Sequence, residues 1–183
     1  KAKIPLLIAS NCEEGGNGAA EGGTHVATQA QCGACDGTDT AYNMGYVAGR
    51  EAQAVGCNWT FSPICDILKN WRNTIVNTRS FGSDTDRVAS LSKAYIDGVR
   101  QSNVLTCAKH FPGDGVDERD HHLLMSVNDL SKEEWDESFG KVYQELIDHG
   151  VESIMAGHIA LPAYSRHFHP NLKDEEIMPA SLA

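Results

Sequence analysis

The 183-residue sequence has no apolar run long enough to span a bilayer. Its basic residues never gather into a stripe. Asp and Glu number 25 against 15 Lys and Arg, a formal net charge of -10. That balance argues against nucleic acid and anionic membrane as partners, and it suits a neutral ligand such as a sugar. The opening residues Lys1-Ala2-Lys3-Ile4-Pro5 lack the long apolar stretch of a signal peptide. Among the six cysteines, Cys32-Gly-Ala-Cys35 is the only close pair, and no second pair follows as a zinc ribbon would need. A thioredoxin-like setting for a redox pair is absent too. Three of the cysteines lie in or beside apolar runs, where a reduced thiol behaves as a small hydrophobe. The expectation is a chain without cofactor in a reducing, cytoplasmic compartment.

What is present is 41% hydrophobic residues, enough for one domain with a real core. Residues 4–9 form a short apolar run, read as a buried strand. A Gly-rich polar loop follows over residues 11–38, either a ligand loop or a flexible turn. From about Thr40, Met44, Val47, Ala48, Ala52 and Val55 recur at helical spacing, and Gly56 stops them. So many of these residues are Ala or Gly that the helix should pack close to its neighbour. Residues 57–67 read as the next strand, followed by a polar loop over 69–83. Ser83 with Asp86 resembles a capping box ahead of a helix marked by Val88, Leu91, Tyr95, Ile96 and Val99. Residues 103–108 are a third strand. Ser131 with Glu134 caps a helix whose face is Trp135, Phe139, Val142, Tyr143, Leu146 and Ile147. Residues 151–159 are a fourth strand, and 161–179 read as loop, with a helix beginning near the C-terminus.

Strand, loop and helix thus repeat three times and begin again. This is an α/β series with a parallel sheet. Such sheets carry their ligand sites at the strands' C-terminal ends. The polar clusters fall there: residues 10–18, 66–81, 109–122 and His158. The densest is Lys109-His110-Phe111-Pro112-Gly113-Asp114-Gly115 with Val116-Asp117-Glu118-Arg119-Asp120-His121-His122 behind it. It holds a Lys, three His and four acids in fourteen residues.

Asp120 and His122 are two apart, a spacing that puts both on one side of an extended segment. A His oriented by a carboxylate makes a general acid/base near neutral pH. Asp120 with His121 is the competing pair, but neighbours in an extended chain point apart. The bland alternative is a solvated acidic loop over 114–122. Lys109 offers fixed donors to ligand hydroxyls, or else an ion pair with Asp66 or another strand-end acid. Arg79 offers a rigid fork for paired hydroxyls or a carboxylate. His110 and His158, both at strand ends, would hold a metal only with a third ligand. Asp66, Asp114 and Asp120 are unspecific candidates for it, and no metal is expected.

These segments resemble the N-terminal barrel domain of family 3 glycoside hydrolases, and most of all its β-N-acetylhexosaminidase branch. The residues that carry the resemblance are Leu6-Leu7-Ile8-Ala9 leading to Glu14-Gly15-Gly16, then Phe61-Ser62-Pro63-Ile64-Cys65-Asp66-Ile67. Thr78-Arg79-Ser80-Phe81-Gly82-Ser83-Asp84 follows, then the Lys109 to Gly115 heptapeptide, then Gly157-His158-Ile159 with Pro162-Ala163. The resemblance covers essentially the whole chain. It implies a (β/α)8 TIM-type barrel that removes terminal β-linked sugars with retention. It also implies an acid/base His on a mobile loop, here His122, paired with Asp120. Lys109, His110, Arg79, Asp66 and His158 would line the sugar subsite. The family's strand-end Asp falls on Asn11 or Cys12, and a neutral group binds a hydroxyl more weakly than a carboxylate does. Asp114 stands where the family often has His.

The family's Asp nucleophile belongs to a later strand, beyond Ala183, and two strands would precede Lys1. About four βα units cannot close an eight-stranded barrel. The expectation is one partial barrel domain over residues 1–183. Further segments, a second copy or a companion piece would complete it, and the chain alone would have little hydrolytic turnover. Alternatives are a β-glucosidase-like or phosphorolytic member, a non-catalytic carbohydrate-binding fragment, or a metal hydrolase using His110, Asp120 and His158.

Overall fold

Three amphipathic runs become long helices against one side of a curved parallel sheet. The computed structural model describes residues 3–183; Lys1 and Ala2, which the expected domain includes, lie outside the described residues. In chain order the elements are β1 (Ala9–Ser10), α1 (Gln29–Gly33), α2 (Asp39–Ala54), β2 (Trp59–Thr60), α3 (Thr85–Arg100), β3 (Cys107–Phe111) and β4 (Ser126–Val127). Then come α4 (Lys132–Trp135), α5 (Lys141–Asp148), β5 (Ser153–Ala156), β6 (Ile159–Ala160) and α6 (Pro162–Phe168).

β1 pairs in parallel with β2, β3 with β5, and β4 with β6. Parallel bridges Trp59 to Leu105 and Ile64 to Lys109 tie β2 to β3. The order β1, β2, β3, β5 is therefore one continuous parallel wall. With α2, α3 and α5 outside it, this is an incomplete TIM-type barrel. The regular ladder of the second strand is shorter than the expected 57–67. Pro63 has no N–H to give the ladder, and pairing resumes only at Ile64.

The run 4–9 is not buried as its composition led us to expect. Ile4, Leu6, Leu7 and Ile8 are 78, 67, 61 and 49% exposed. They approach the open edge of the wall, which no element among the described residues covers. Asn58 holds this segment in line, accepting from the Ile8 N–H at 2.8 Å and donating to the Leu6 carbonyl at 2.9 Å.

α2 buries Ala41, Met44, Gly45, Ala48, Gly49 and Ala52. Its small residues let α3 come close: a Cβ on Gly45 would stand 2.1 Å from the Tyr95 carbonyl oxygen. The N-cap of α3 is Asp84, which accepts from the Arg87 N–H at 2.7 Å, and not Ser83. A carboxylate one residue nearer the first turn does that work as well as a hydroxyl. Ser131 and Glu134 do form the expected capping box. The helix behind it contains a π turn over Asp136–Gly140, which rotates the following residues. Trp135, Phe139, Val142, Tyr143 and Leu146 stay buried, while Ile147 turns out to solvent at 50%. α6, opened by Pro162, occupies the start of the expected 161–179 loop. No helix among the described residues is long and apolar enough to cross a membrane.

Candidate active site

The polar clusters meet at the C-terminal ends of the wall, around a cavity of about 230 Å³. Its lining brings together Asn11, Arg79, Lys109, His110, His122 and His158, all expected there from sequence, with His121 and Phe61. A larger cleft, about 600 Å³, runs along Trp135, Tyr143 and Tyr164, and lacks an Asp–His pair.

Lys109 is buried in the middle of β3. Its Nζ donates to Glu13 Oε1 at 2.7 Å and to Asn11 Oδ1 at 3.2 Å. Arg79 grips the same carboxylate with both branches of its fork, Nε to Oε2 at 2.9 Å and an Nη to Oε1 at 2.8 Å. Burial alone would raise the Glu13 pKa. The Arg79 bonds and the Lys109 charge outweigh it and hold the group at about 2. Glu13 escaped the sequence reading, which singled out its neighbour Glu14. Glu14 faces away and meets His25 at 3.1 Å. Adjacent residues on the turn point to opposite sides, and the unpaired Lys109 and Arg79 were the signal that one acid had to face them.

Asp66 is not on the cavity wall. It is fully buried behind His110 and accepts from His110 Nδ1 at 2.7 Å, from the His110 N–H at 3.1 Å and from the Asp114 N–H at 2.8 Å. Its oxygens are taken by protein donors, so it orients His110 and does not reach into the cavity. Lys109 correspondingly pairs with Glu13, not with Asp66. His158 Nδ1 lies 2.7 Å from the Ser181 hydroxyl.

Asp120 Oδ1 accepts from both the His122 N–H, at 2.8 Å, and His122 Nδ1, at 2.7 Å. The pair forms through a turn, not an extended segment, for the Leu123 and Leu124 N–H groups both return to the Asp120 carbonyl. These bonds from His122 lower the Asp120 pKa. The turn has a second effect: His121 points inward and is buried, with Nδ1 2.9 Å from Asp114 Oδ2. His121 does point away from Asp120, as the sequence reading had it, but it does so on a turn and not on extended backbone. The Asp at 114, where the family often has His, was the available sign of a partner inside.

All six thiols are free. Among the described residues no three His, Cys, Asp or Glu side chains converge as a metal would require. With Asp120 on Nδ1, the Nε2 of His122 is left to exchange a proton with a bound molecule. Arg79, Lys109 and Asn11 supply donors and an acceptor of the kind that sorts sugar hydroxyls.

The model of the glycosyl hydrolase family 3 N terminal domain matches residues 1–182. The chain belongs to this family. It is 48% identical over 182 residues to a beta-N-acetylglucosaminidase/beta-glucosidase of Cellulomonas fimi, covering 100% of this chain and 32% of the relative. To a beta-hexosaminidase of Hydrogenovibrio crunogenus it is 30% identical, covering 86% of this chain and 46% of that protein. Its backbone is similar to that of a beta-glucoside phosphorylase, BglX, bound to 2FGlc, with TM-score 0.97 and 50% identity over 100% of this chain and 33% of the other. The family 3 domain described here thus spans between about a third and a half of the length of these relatives.

Proposed function

We propose that this family 3 domain carries the sugar-binding and proton-transfer half of a retaining exo-glycosidase, one that removes terminal β-linked sugars in the manner of a β-N-acetylhexosaminidase. The observation that carries this reading is the Asp120–His122 pair beside a cavity walled by Lys109, Arg79 and His110. His122, held at Nδ1, gives a proton from Nε2 to the departing glycosidic oxygen and later takes one from water. Lys109, His110, Arg79, Asn11 and His158 hold the sugar hydroxyls, with Asp66 and Glu13 fixing the first three from behind. Retention also needs a carboxylate nucleophile at the anomeric carbon. The carboxylates that meet the lining cations and imidazoles are all engaged: Glu13 by Arg79 and Lys109, Asp66 by His110, Asp114 by His121 and Asp120 by His122. The nucleophile therefore comes from outside residues 1–183, which act as one partial barrel domain completed by other segments or by another copy. The free thiols fit a reducing cytoplasm.

The test uses the natural full-length protein and aryl β-glycosides. His122→Ala should cut kcat/KM, which reports departure of the aglycone, by about 10² to 10⁴ on a poor leaving group and far less on dinitrophenyl glycosides, which leave without a proton. Equal losses on both would overturn the assignment of His122. A second reading, phosphorolysis, is favoured by the 50% identity to the beta-glucoside phosphorylase. In that reaction a phosphate oxygen displaces the enzyme carboxylate from the anomeric carbon, and the product is a sugar 1-phosphate. Adding inorganic phosphate and identifying the product by phosphorus NMR separates the two. Sugar binding without turnover in either assay would make the domain a binding module.

A further inference from the structure

Three Asp–His pairs run outward from the strand ends. Asp66 holds His110, Asp114 holds His121, and Asp120 holds His122. The His121 ring sits between the other two, its centroid 5.1 Å from that of His110 and 4.4 Å from that of His122. The outermost pair is largely exposed, with the His122 side chain at 61%. The middle one is not, with the His121 side chain at 4% and that of Asp114 at 0%.

Asp114 is itself rigid. Its Oδ1 accepts from Asn73 Nδ2 and from the Gly115 N–H, both at 2.7 Å, and its own N–H donates to Asp66 at 2.8 Å. The same Asn73 nitrogen also bonds the Asp117 carbonyl at 2.7 Å, tying in the base of the loop. That leaves Asp114 Oδ2, buried and without an aligned hydrogen-bond partner among the described residues, with His121 Nδ1 2.9 Å away but too oblique to supply one. Separating the two would strand a buried carboxylate oxygen and a buried ring nitrogen without a partner, which opposes opening of the contact.

We infer that His121 is a positioning residue: clamped by Asp114, it anchors the loop over residues 116–125 and so fixes the place from which His122 delivers its proton. The contact joins one turn of the loop directly to the Asp66 and Asn73 frame beneath it. Without it, residues 120–125 are held by local turn bonds, and the exposed Leu123 and Leu124 add no burial. His122, its Asp120 partner moving with it, would keep its pair and lose its address. This inference rests on the reading of His122 as the acid/base, and its test keeps the two apart.

In the full-length protein, His121→Leu removes the clamp, while His121→Asn keeps an N–H donor close to the position of Nδ1. Backbone hydrogen exchange over residues 116–125 should quicken in His121→Leu and stay near wild type in His121→Asn. On aryl β-glycosides, His121→Leu should lose about tenfold or more in kcat/KM for a poor leaving group and about twofold or less for dinitrophenyl glycosides, with recovery in His121→Asn. A general loosening of the fold would lower both substrates alike. Asp114→Asn, which keeps shape and removes the charge, should give the same pattern, so a misfolded His121→Leu leaves the matter decidable. Unchanged exchange, or equal loss on both substrates, overturns the inference. Should His122→Ala show no leaving-group dependence, the acid/base reading falls, and the exchange data still decide whether the clamp exists.

Discussion

Glu13 shows how one carboxylate can organise two cations and be invisible until the chain folds. Its folded pKa of about 2 lies below the ordinary 4.5. A depressed carboxylate stabilises the fold above its unfolded pKa, and that contribution disappears as pH falls through the folded value. The shift corresponds to ~3 kcal/mol. The stability gap between wild type and Glu13→Gln should therefore be widest above pH 4.5 and should close towards pH 2, as read from denaturant midpoints across that range. A gap that does not change with pH would mean that Arg79 and Lys109 do not hold the charge. The second residue-scale point concerns Asp120 and His122. Their pairing was legible from a spacing of two, yet the backbone that delivers it is a turn. A side-chain bond to the residue's own backbone two positions on offers the same proximity as an extended strand, so the right pair followed from the wrong conformation. His121 stays apart from Asp120, as the sequence reading had it, and the turn brings it to Asp114.

At the scale of elements, helical periodicity carried most of the fold. Met44, Ala48 and Ala52, then Val88, Leu91, Tyr95 and Val99, recur often enough for the buried face to be counted and are buried, while Val55, counted on the first face, is 52% exposed at the helix end. β4 has two residues, α1 has five, and the π turn interrupts a helix without breaking its apolar pattern. None of these is long enough to show a period. α1 is opened by a local capping box of Thr28 with Gln31 and tied down by tertiary contact: Gln29, fully buried, donates to the Ile64 carbonyl at 2.7 Å and accepts from its N–H at 3.1 Å. The close approach of α2 and α3 was legible from their small residues, and it yields a measurable consequence. A Cβ on Gly98 would fall 2.1 Å from the Tyr42 carbonyl oxygen, as one on Gly45 would from that of Tyr95. Backbone cannot yield as a flexible side chain does. Gly98→Ala and Gly45→Ala should each cost about 1–3 kcal/mol or more by overpacking, although alanine is the better helix former. Thermal melts of the two variants check this. A gain in stability would mean the helices separate at little cost.

At the scale of the whole chain, the wall formed by the described residues is open, and its edge is apolar. Ile4, Leu6, Leu7 and Ile8 stand exposed in the segment leading into β1, and Leu123, Leu124 and Met125 stand exposed beside the cavity at 80, 63 and 39%. An exposed strand edge with apolar side chains invites a further strand or another copy. Against this works the formal charge of -10, which makes like copies repel. The two effects answer differently to salt. Screening weakens the repulsion of exposed charges within about 10 Å at 0.1 M, and it leaves apolar burial intact. The 183-residue chain in isolation should therefore self-associate more as salt rises, with a weight-average mass by light scattering that climbs with both salt and protein concentration. Replacing Leu6 and Leu7 together by Glu should lower that mass at every salt concentration, because it removes apolar edge and adds charge of the sign already in excess. Association that weakens with salt would put ion pairs, not the apolar edge, at the contact. A double variant that associates as strongly as wild type would place the contact elsewhere on the wall, with the Leu123 to Met125 rim the next surface to charge.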